Sequence, residues 1–171
     1  MSSFRCAVIG VGHLGKFHAQ KYFKSKDFQL IGLVDPSPSN ALALSKEFGC
    51  EFYNDYKKIL KKVDAVSIVV PTSLHYNVAR DFLKEGVHVL LEKPICDNLN
   101  DAIKLDSLSK RKNLVLQIGH IERFNPAFLK FKENLYNNNN LNSEPIFFDC
   151  SRISPFTPRI KDCSVIIDLM I

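Results

Sequence analysis

The chain has 171 residues, of which 46% are hydrophobic and 24% charged, a globular composition that excludes disordered and collagen-like architectures. Lys and Arg outnumber Asp and Glu by 23 to 18, for a formal charge of +5. The excess is spread along the chain without a basic block, which argues against a nucleic-acid partner. Apolar runs reach about six residues where a bilayer needs roughly twenty, so nothing is expected to span a membrane, and no signal-peptide core precedes residue 6. Cys6, Cys50, Cys96, Cys150 and Cys163 are scattered without a CxxC pair. That spacing suits reduced thiols in a cytoplasmic protein, not a disulfide framework or a zinc site.

Short β-branched runs alternate with helical stretches, the pattern of βαβ units over a parallel sheet. Residues 6–10 read as a buried strand, 14–23 as a helix and 29–35 as a second strand. A helix over 40–48 is closed by Gly49, followed by a short strand at 51–53 and a Lys-rich helical turn at 56–62. Residues 65–70 form the clearest central strand, apolar on both faces and ended by Pro71. A helix over 77–85 closed by Gly86, a strand at 88–91, a helix from Asn100 as its cap to about 112, and a strand at 115–118 complete six strands. The fold class expected is therefore α/β, a doubly wound parallel sheet.

The character changes after Gly119. Residues 124–135 read as a helix with Pro126 in its first turn. The polar run 137–144 reads as a solvated loop, 145–150 as a strand and 154–161 as irregular. The sequence stops inside an apolar run at Ile171, which is expected of a chain cut short.

Gly10-Val11-Gly12-His13-Leu14-Gly15 spells GxGxxG. It follows a predicted strand and opens a predicted helix, the context that makes the pattern a dinucleotide fingerprint. Gly10 permits the tight turn, Gly12 lets the backbone approach a pyrophosphate, and Gly15 lets helix and strand pack closely. His13 and Leu14 lie within this phosphate-binding loop. Asp35, at the end of the second strand, can accept hydrogen bonds from both ribose hydroxyls. No arginine follows it in 36–38, and a carboxylate repels a 2′-phosphate, so NAD is expected over NADP.

Glu92-Lys93-Pro94 follows the fifth strand directly, at the sheet rim where ligands of open α/β folds bind. A lysine there can act as acid or base toward a substrate beside the cofactor; a surface lysine in a turn is the plainer alternative. His18 suits packing or function equally. His88 reads as structural, and His120 precedes the change of character. No pair of histidines has ligand spacing, so no metal is expected.

Four segments in this order, GxGxxGxxH (Gly10, Gly12, Gly15, His18), PTSLH at 71–75, Glu92-Lys93-Pro94 and GHIERFNP at 119–126, together resemble the Gfo/Idh/MocA oxidoreductases. The last is most similar to the nucleotide-sugar dehydrogenase branch. The resemblance implies a Rossmann domain, 1–122, followed by the start of an α+β substrate domain, 123–171. It implies NAD-dependent oxidation of a hydroxyl on a sugar or nucleotide sugar. Lys93 matches the family's catalytic lysine, and Glu92 sits beside the nicotinamide end. Pro71, Thr72 and His75 match the segment lining the cofactor, with Pro-Thr where many members have Thr-Pro. Arg123 matches an arginine at the domain junction that supports the substrate site. Asp168 matches the aspartate of a D-x-x-x-H pair contacting the substrate hydroxyl; the histidine would be residue 172. That gap keeps two further readings open: a non-catalytic NAD-binding remnant, or half of an enzyme completed by a second chain. A homo-oligomer is also compatible.

Overall fold

The first strand, β1 (Phe4–Ile9), is buried from Cys6 onward. Ala7 and Ile9 enter one apolar cluster, while Cys6 and Val8 enter another. This is the two-residue alternation of a strand covered on both faces. The computed structural model describes residues 3–137 together with Asp149 and Ser151. After β1 come α1 (His13–Lys24), β2 (Phe28–Val34), α2 (Pro38–Phe48) and β3 (Glu51–Tyr53). A 3-10 turn (Tyr56–Lys58) leads to β4 (Ala65–Ile68), α3 (Thr72–Lys84), β5 (His88–Leu91), α4 (Leu99–Arg111) and β6 (Leu116–Ile118). Neighbouring strands pair in parallel, in the order β3-β2-β1-β4-β5-β6. This is the doubly wound Rossmann arrangement expected from the sequence. Its strand order reverses between β1 and β4, and the carboxyl ends of all six strands share one rim.

Each face is covered by the helices that follow the strands of one half. Ala19 of α1 and Ala41, Leu44 and Phe48 of α2 pack on Val8 and Leu33. On the other face Val78, Ala79, Phe82 and Leu83 of α3 and Leu105 and Leu108 of α4 pack on Val66, Ile68, Val89 and Leu91. Phe82, Leu33, Ile68, Leu83 and Leu105 are fully buried, each contributing about 1.5–3 kcal/mol of transfer free energy.

Several boundaries differ from the sequence expectation; β4, expected to reach residue 70, ends at Ile68. Helix α3 begins at Thr72, five residues before the expected start, because Pro71 stands at its N-cap rather than terminating structure. Helix α4 is capped by Asn98, whose side chain accepts from Asp101 N–H at 2.9 Å, and not by Asn100. The helical turn at 56–62 is a 3-10 turn of three residues. Gly49, at φ 64°, closes α2 as expected.

The chain divides into two compact units, the second beginning at His120. Its described part includes a 3-10 turn (Ile121–Phe124) and α5 (Pro126–Asn137), besides Asp149 and Ser151. Asn125 opens α5 by accepting from Ala127 N–H at 3.0 Å. Apart from Asp149, the expected strand at 145–150 lies outside the described residues, as does the apolar segment at the end of the chain. Among the described residues no helix is long and apolar enough to cross a membrane, and no group of His, Cys, Asp or Glu is arranged to hold a metal.

Candidate functional site

The glycine fingerprint lies at the switch point between β1 and β4. Gly10 ends β1 with φ 89°, a conformation that disfavours any side chain. A Cβ there would also strike the Val69 carbonyl, and one on Gly15 would strike the Gly10 carbonyl oxygen. Gly15 thus lets α1 lie directly on the β1 turn. Gly12 is different: a Cβ there would meet nothing within 4 Å. It occupies the N-cap of α1, and no side chain caps that helix. The first-turn N–H groups, at the positive end of the helix dipole, are therefore left uncapped by any side chain. His13 and Leu14 form this first turn with exposed side chains; the His13 ring meets Phe17 edge-on at 5.5 Å.

Asp35 follows β2 directly and is tied to the same loop. Its Oδ2 accepts from Val11 N–H and its Oδ1 from Ser37 N–H, each at 2.8 Å. Each oxygen keeps a lone pair for a further donor. Beside it, Pro36, Pro38, Phe52, Tyr53, Asn54 and Lys58 line an open cleft of about 370 Å³. Lys58 Nζ donates to Asn54 Oδ1 at 2.7 Å.

The second half of the rim is the Glu92-Lys93-Pro94 turn after β5. Glu92 Oε2 accepts from Lys93 N–H at 3.2 Å, and Oε1 lies 3.1 Å from His18 Nε2 on α1. Burial pushes the Glu92 carboxyl up, but the His18 ring, the Lys93 N–H and the Lys93 charge outweigh it, so the carboxyl sits below the usual carboxylate range. The side chain of Lys93 is half-buried. Pro94 follows a cis peptide bond, and its carbonyl is held by His75 Nδ1 at 2.7 Å.

His75 is 1% exposed, and its Nε2 lies 3.0 Å from the Val70 carbonyl. Carbonyl oxygens only accept, so a neutral ring serves one of them and a protonated ring serves both. The histidine thus links the segment after β4 to the lysine turn after β5. Thr72, in the first turn of α3, is buried, while Pro71 before it is exposed.

The structure brings Gly10, Gly12, Gly15 and Asp35 to one place and Glu92 and Lys93 to the next strand end but one. Arg123 lies in the second unit, in the 3-10 turn, with its side chain exposed. Asp168 lies outside the described residues. Sequence reasoning missed Ser67, which reads as an intrusion in the apolar β4 run. It is fully buried and meets His18 Nδ1 at 3.1 Å and Tyr22 OH at 2.8 Å. The one available signal was a polar residue at an interior position of a central strand, where a partner is required. His88, expected to be structural, accepts from Val115 N–H at 3.0 Å through Nδ1 and so joins the start of β5 to the segment entering β6.

Comparison with known proteins agrees with this fold. A family model described as an oxidoreductase family with an NAD-binding Rossmann fold matches residues 4–120. UDP-N-acetylglucosamine 3-dehydrogenase of Acidithiobacillus ferrooxidans is 40% identical over all 171 residues, which cover 52% of that protein. A solved structure of that enzyme superposes with a TM-score of 0.86 over 99% of this chain and 54% of that one. The NAD(+)-dependent scyllo-inositol 2-dehydrogenase of Bacillus subtilis is 31% identical over 77% of this chain and 40% of its own length. The chain therefore spans about half the length of the curated relatives it matches. With its fingerprint, its strand order and the family match in agreement, the chain belongs to the Gfo/Idh/MocA oxidoreductase family through an NAD-binding Rossmann domain.

Proposed function

We propose that residues 1–122 bind NAD and that, with a substrate domain begun by residues 123–171, they oxidise a hydroxyl of a sugar or nucleotide sugar. The observation that carries the reading is the loop at the switch point: Gly12 leaves open space at an uncapped helix N-terminus, and Asp35 is fastened to the neighbouring Val11 N–H. The residues fit the cofactor. The first turn of α1, with His13 and Leu14, would receive the pyrophosphate, and Asp35 the ribose hydroxyls. When bound, the nicotinamide supplies a hydride acceptor.

Lys93 assists the transfer of the proton from the substrate hydroxyl as its carbon gives up hydride, acid–base work of the kind that contributes about 10²–10⁴-fold. Glu92 fixes the backbone of Lys93. Pro71, Thr72 and His75 shape the adjoining wall, the last through the Val70 and Pro94 carbonyls it holds. Arg123 and Asp168 act on the substrate side, Asp168 orienting the hydroxyl. The sugar class rests on the two relatives, whose names specify an N-acetylglucosamine nucleotide and an inositol. The Asp35 carboxylate, with no arginine in 36–38, favours NAD over NADP.

The test is calorimetric titration with NADH, NADPH and ADP-ribose, followed by turnover assays with UDP-N-acetylglucosamine and inositols. Saturable binding of NADH and ADP-ribose, with NADPH at least about tenfold weaker, is the expected outcome. Absence of binding by both NADH and ADP-ribose refutes the reading.

A further inference from the structure

The residues that build the dinucleotide loop and those that build the lysine turn lie on different strands, and one side chain joins them. His18 stands one turn beyond Gly15 on α1. Its two ring nitrogens are both engaged, Nε2 with Glu92 Oε1 and Nδ1 with Ser67 Oγ, each at 3.1 Å. A carboxylate only accepts, so Nε2 carries a hydrogen toward Glu92. In the neutral ring Nδ1 then accepts from the Ser67 hydroxyl, and Ser67 Oγ accepts from Tyr22 OH at 2.8 Å. Each member of the chain Tyr22–Ser67–His18–Glu92 is satisfied in one consistent direction. It can also run the other way at the serine: a protonated ring donates from Nδ1, and Ser67 turns its hydrogen to Tyr22.

Three features set this chain apart from ordinary packing. Ser67 is fully buried on β4, so the ring is anchored to an interior strand of the sheet. The side chains of His18 and Glu92 are only 19% and 18% exposed, so water competes weakly for their contact. Gly119, at the end of β6, leaves room for the carboxylate: a Cβ there would stand 2.8 Å from Glu92 Oε1 and 3.0 Å from its Cδ. The other carboxylate oxygen accepts from Lys93 N–H. The seat of Glu92 is thus framed from α1, β4 and β6, and it ends on the backbone of Lys93.

We propose that His18 is a positioning residue: it holds the lysine-bearing turn to the dinucleotide-binding helix through Glu92, so that the nicotinamide half of the dinucleotide meets a preset Lys93. This rests on the function proposed above. A ring serving only as packing would be replaceable by any side chain of similar volume. A positioning ring requires its Nε2 hydrogen. Glutamine places an N–H donor near the Nε2 position and asparagine places one near Nδ1, so the two variants separate the bond to Glu92 from the bond to Ser67.

The experiment titrates full-chain wild type, His18→Asn, His18→Gln and Glu92→Gln with NADH and with ADP-ribose, which lacks the nicotinamide. The Glu92 carboxyl is followed in parallel by ¹³C NMR as pH is varied, without ligand. His18→Asn and Glu92→Gln are expected to weaken NADH about tenfold or more, the loss of one hydrogen bond to a charged group, and to leave ADP-ribose unchanged. His18→Gln is expected to recover most of the NADH affinity. In His18→Asn the Glu92 titration moves up and in His18→Gln it returns. Equal weakening of both ligands, an unchanged NADH affinity in His18→Asn, or a Glu92 titration indifferent to His18 overturns the proposal. Failure of the wild type to bind ADP-ribose instead refutes the dinucleotide reading, and with it the positioning role.

Discussion

Replacing Asp35 by alanine separates two roles that the structure assigns to one carboxylate. In the fold it accepts from Val11 N–H and Ser37 N–H, each at 2.8 Å. A hydrogen bond to a charged group contributes about 1.5–3 kcal/mol. Ser37 lies in an exposed turn where water replaces the lost acceptor, whereas the Val11 bond is half-buried. The fold therefore loses about 2 kcal/mol, the Val11 share alone. For a chain of this length that lowers Tm by about 4–8 °C. For the ligand, two ribose hydroxyls lose a charged acceptor. At the lower end of the same range this totals about 3 kcal/mol, a weakening of NADH on the order of 10²-fold. Calorimetric titration well below the lowered Tm, paired with a melting curve, reads both numbers on one sample. A variant that melts lower yet binds NADH within about twofold of wild type would show that Asp35 serves only the loop. The ribose assignment would then fall.

Gly15→Ala places a methyl against the Gly10 carbonyl oxygen, a backbone atom that cannot step aside; a loss of about 3 kcal/mol is expected in urea unfolding, the upper range for overpacking. The Glu92 carboxyl titrates below its ordinary value of 4.5 in the folded chain. Its contribution to stability is therefore complete above that value and is lost as pH falls through the folded value. Between about pH 6 and pH 3 the urea midpoint of wild type should drop more than that of Glu92→Gln, and parallel curves would contradict the assignment. Burial raises the thiols of Cys6, Cys50 and Cys96 to about 12, 11 and 11. With so little thiolate near neutral pH, they should resist iodoacetamide until the chain is unfolded, as peptide mass mapping would show.

Most of the frame was legible because it depends on local chemistry. The CAVIG run, the GxGxxG turn and the glycines after α2 and α3 each state their role within a few residues. The place of Asp35 was legible from its position at the end of the second strand. The start of α3 was not, because Pro71 signals a stop for a strand and an N-cap for a helix equally well, and Thr-Ser-Leu-His adds little helical preference. The polar interior of the site was also hidden. Ser67 finds its partners 45 and 49 positions earlier in the chain, and His18 meets Glu92 across 74. No spacing rule reaches that far; only the sheet order brings α1, β4 and β5 side by side.

That sheet order also bears on how the chain is made. Strand β1 is synthesised first and lies in the middle of the sheet. One of its edges pairs with β2, where Cys6 meets Leu30, but the other waits for β4, where Cys6 meets Ala65 about 60 positions later. At roughly 5–20 residues per second on a ribosome, the second edge emerges roughly 3–12 s after the first strand. Until then an apolar strand, destined to be sealed on both faces, has unpaired backbone along at least one side. The nascent β1–β2 pair is thus a sticky intermediate. Its survival depends on how soon β4 arrives, which makes the chain's yield sensitive to the rate at which residues 35–65 are translated.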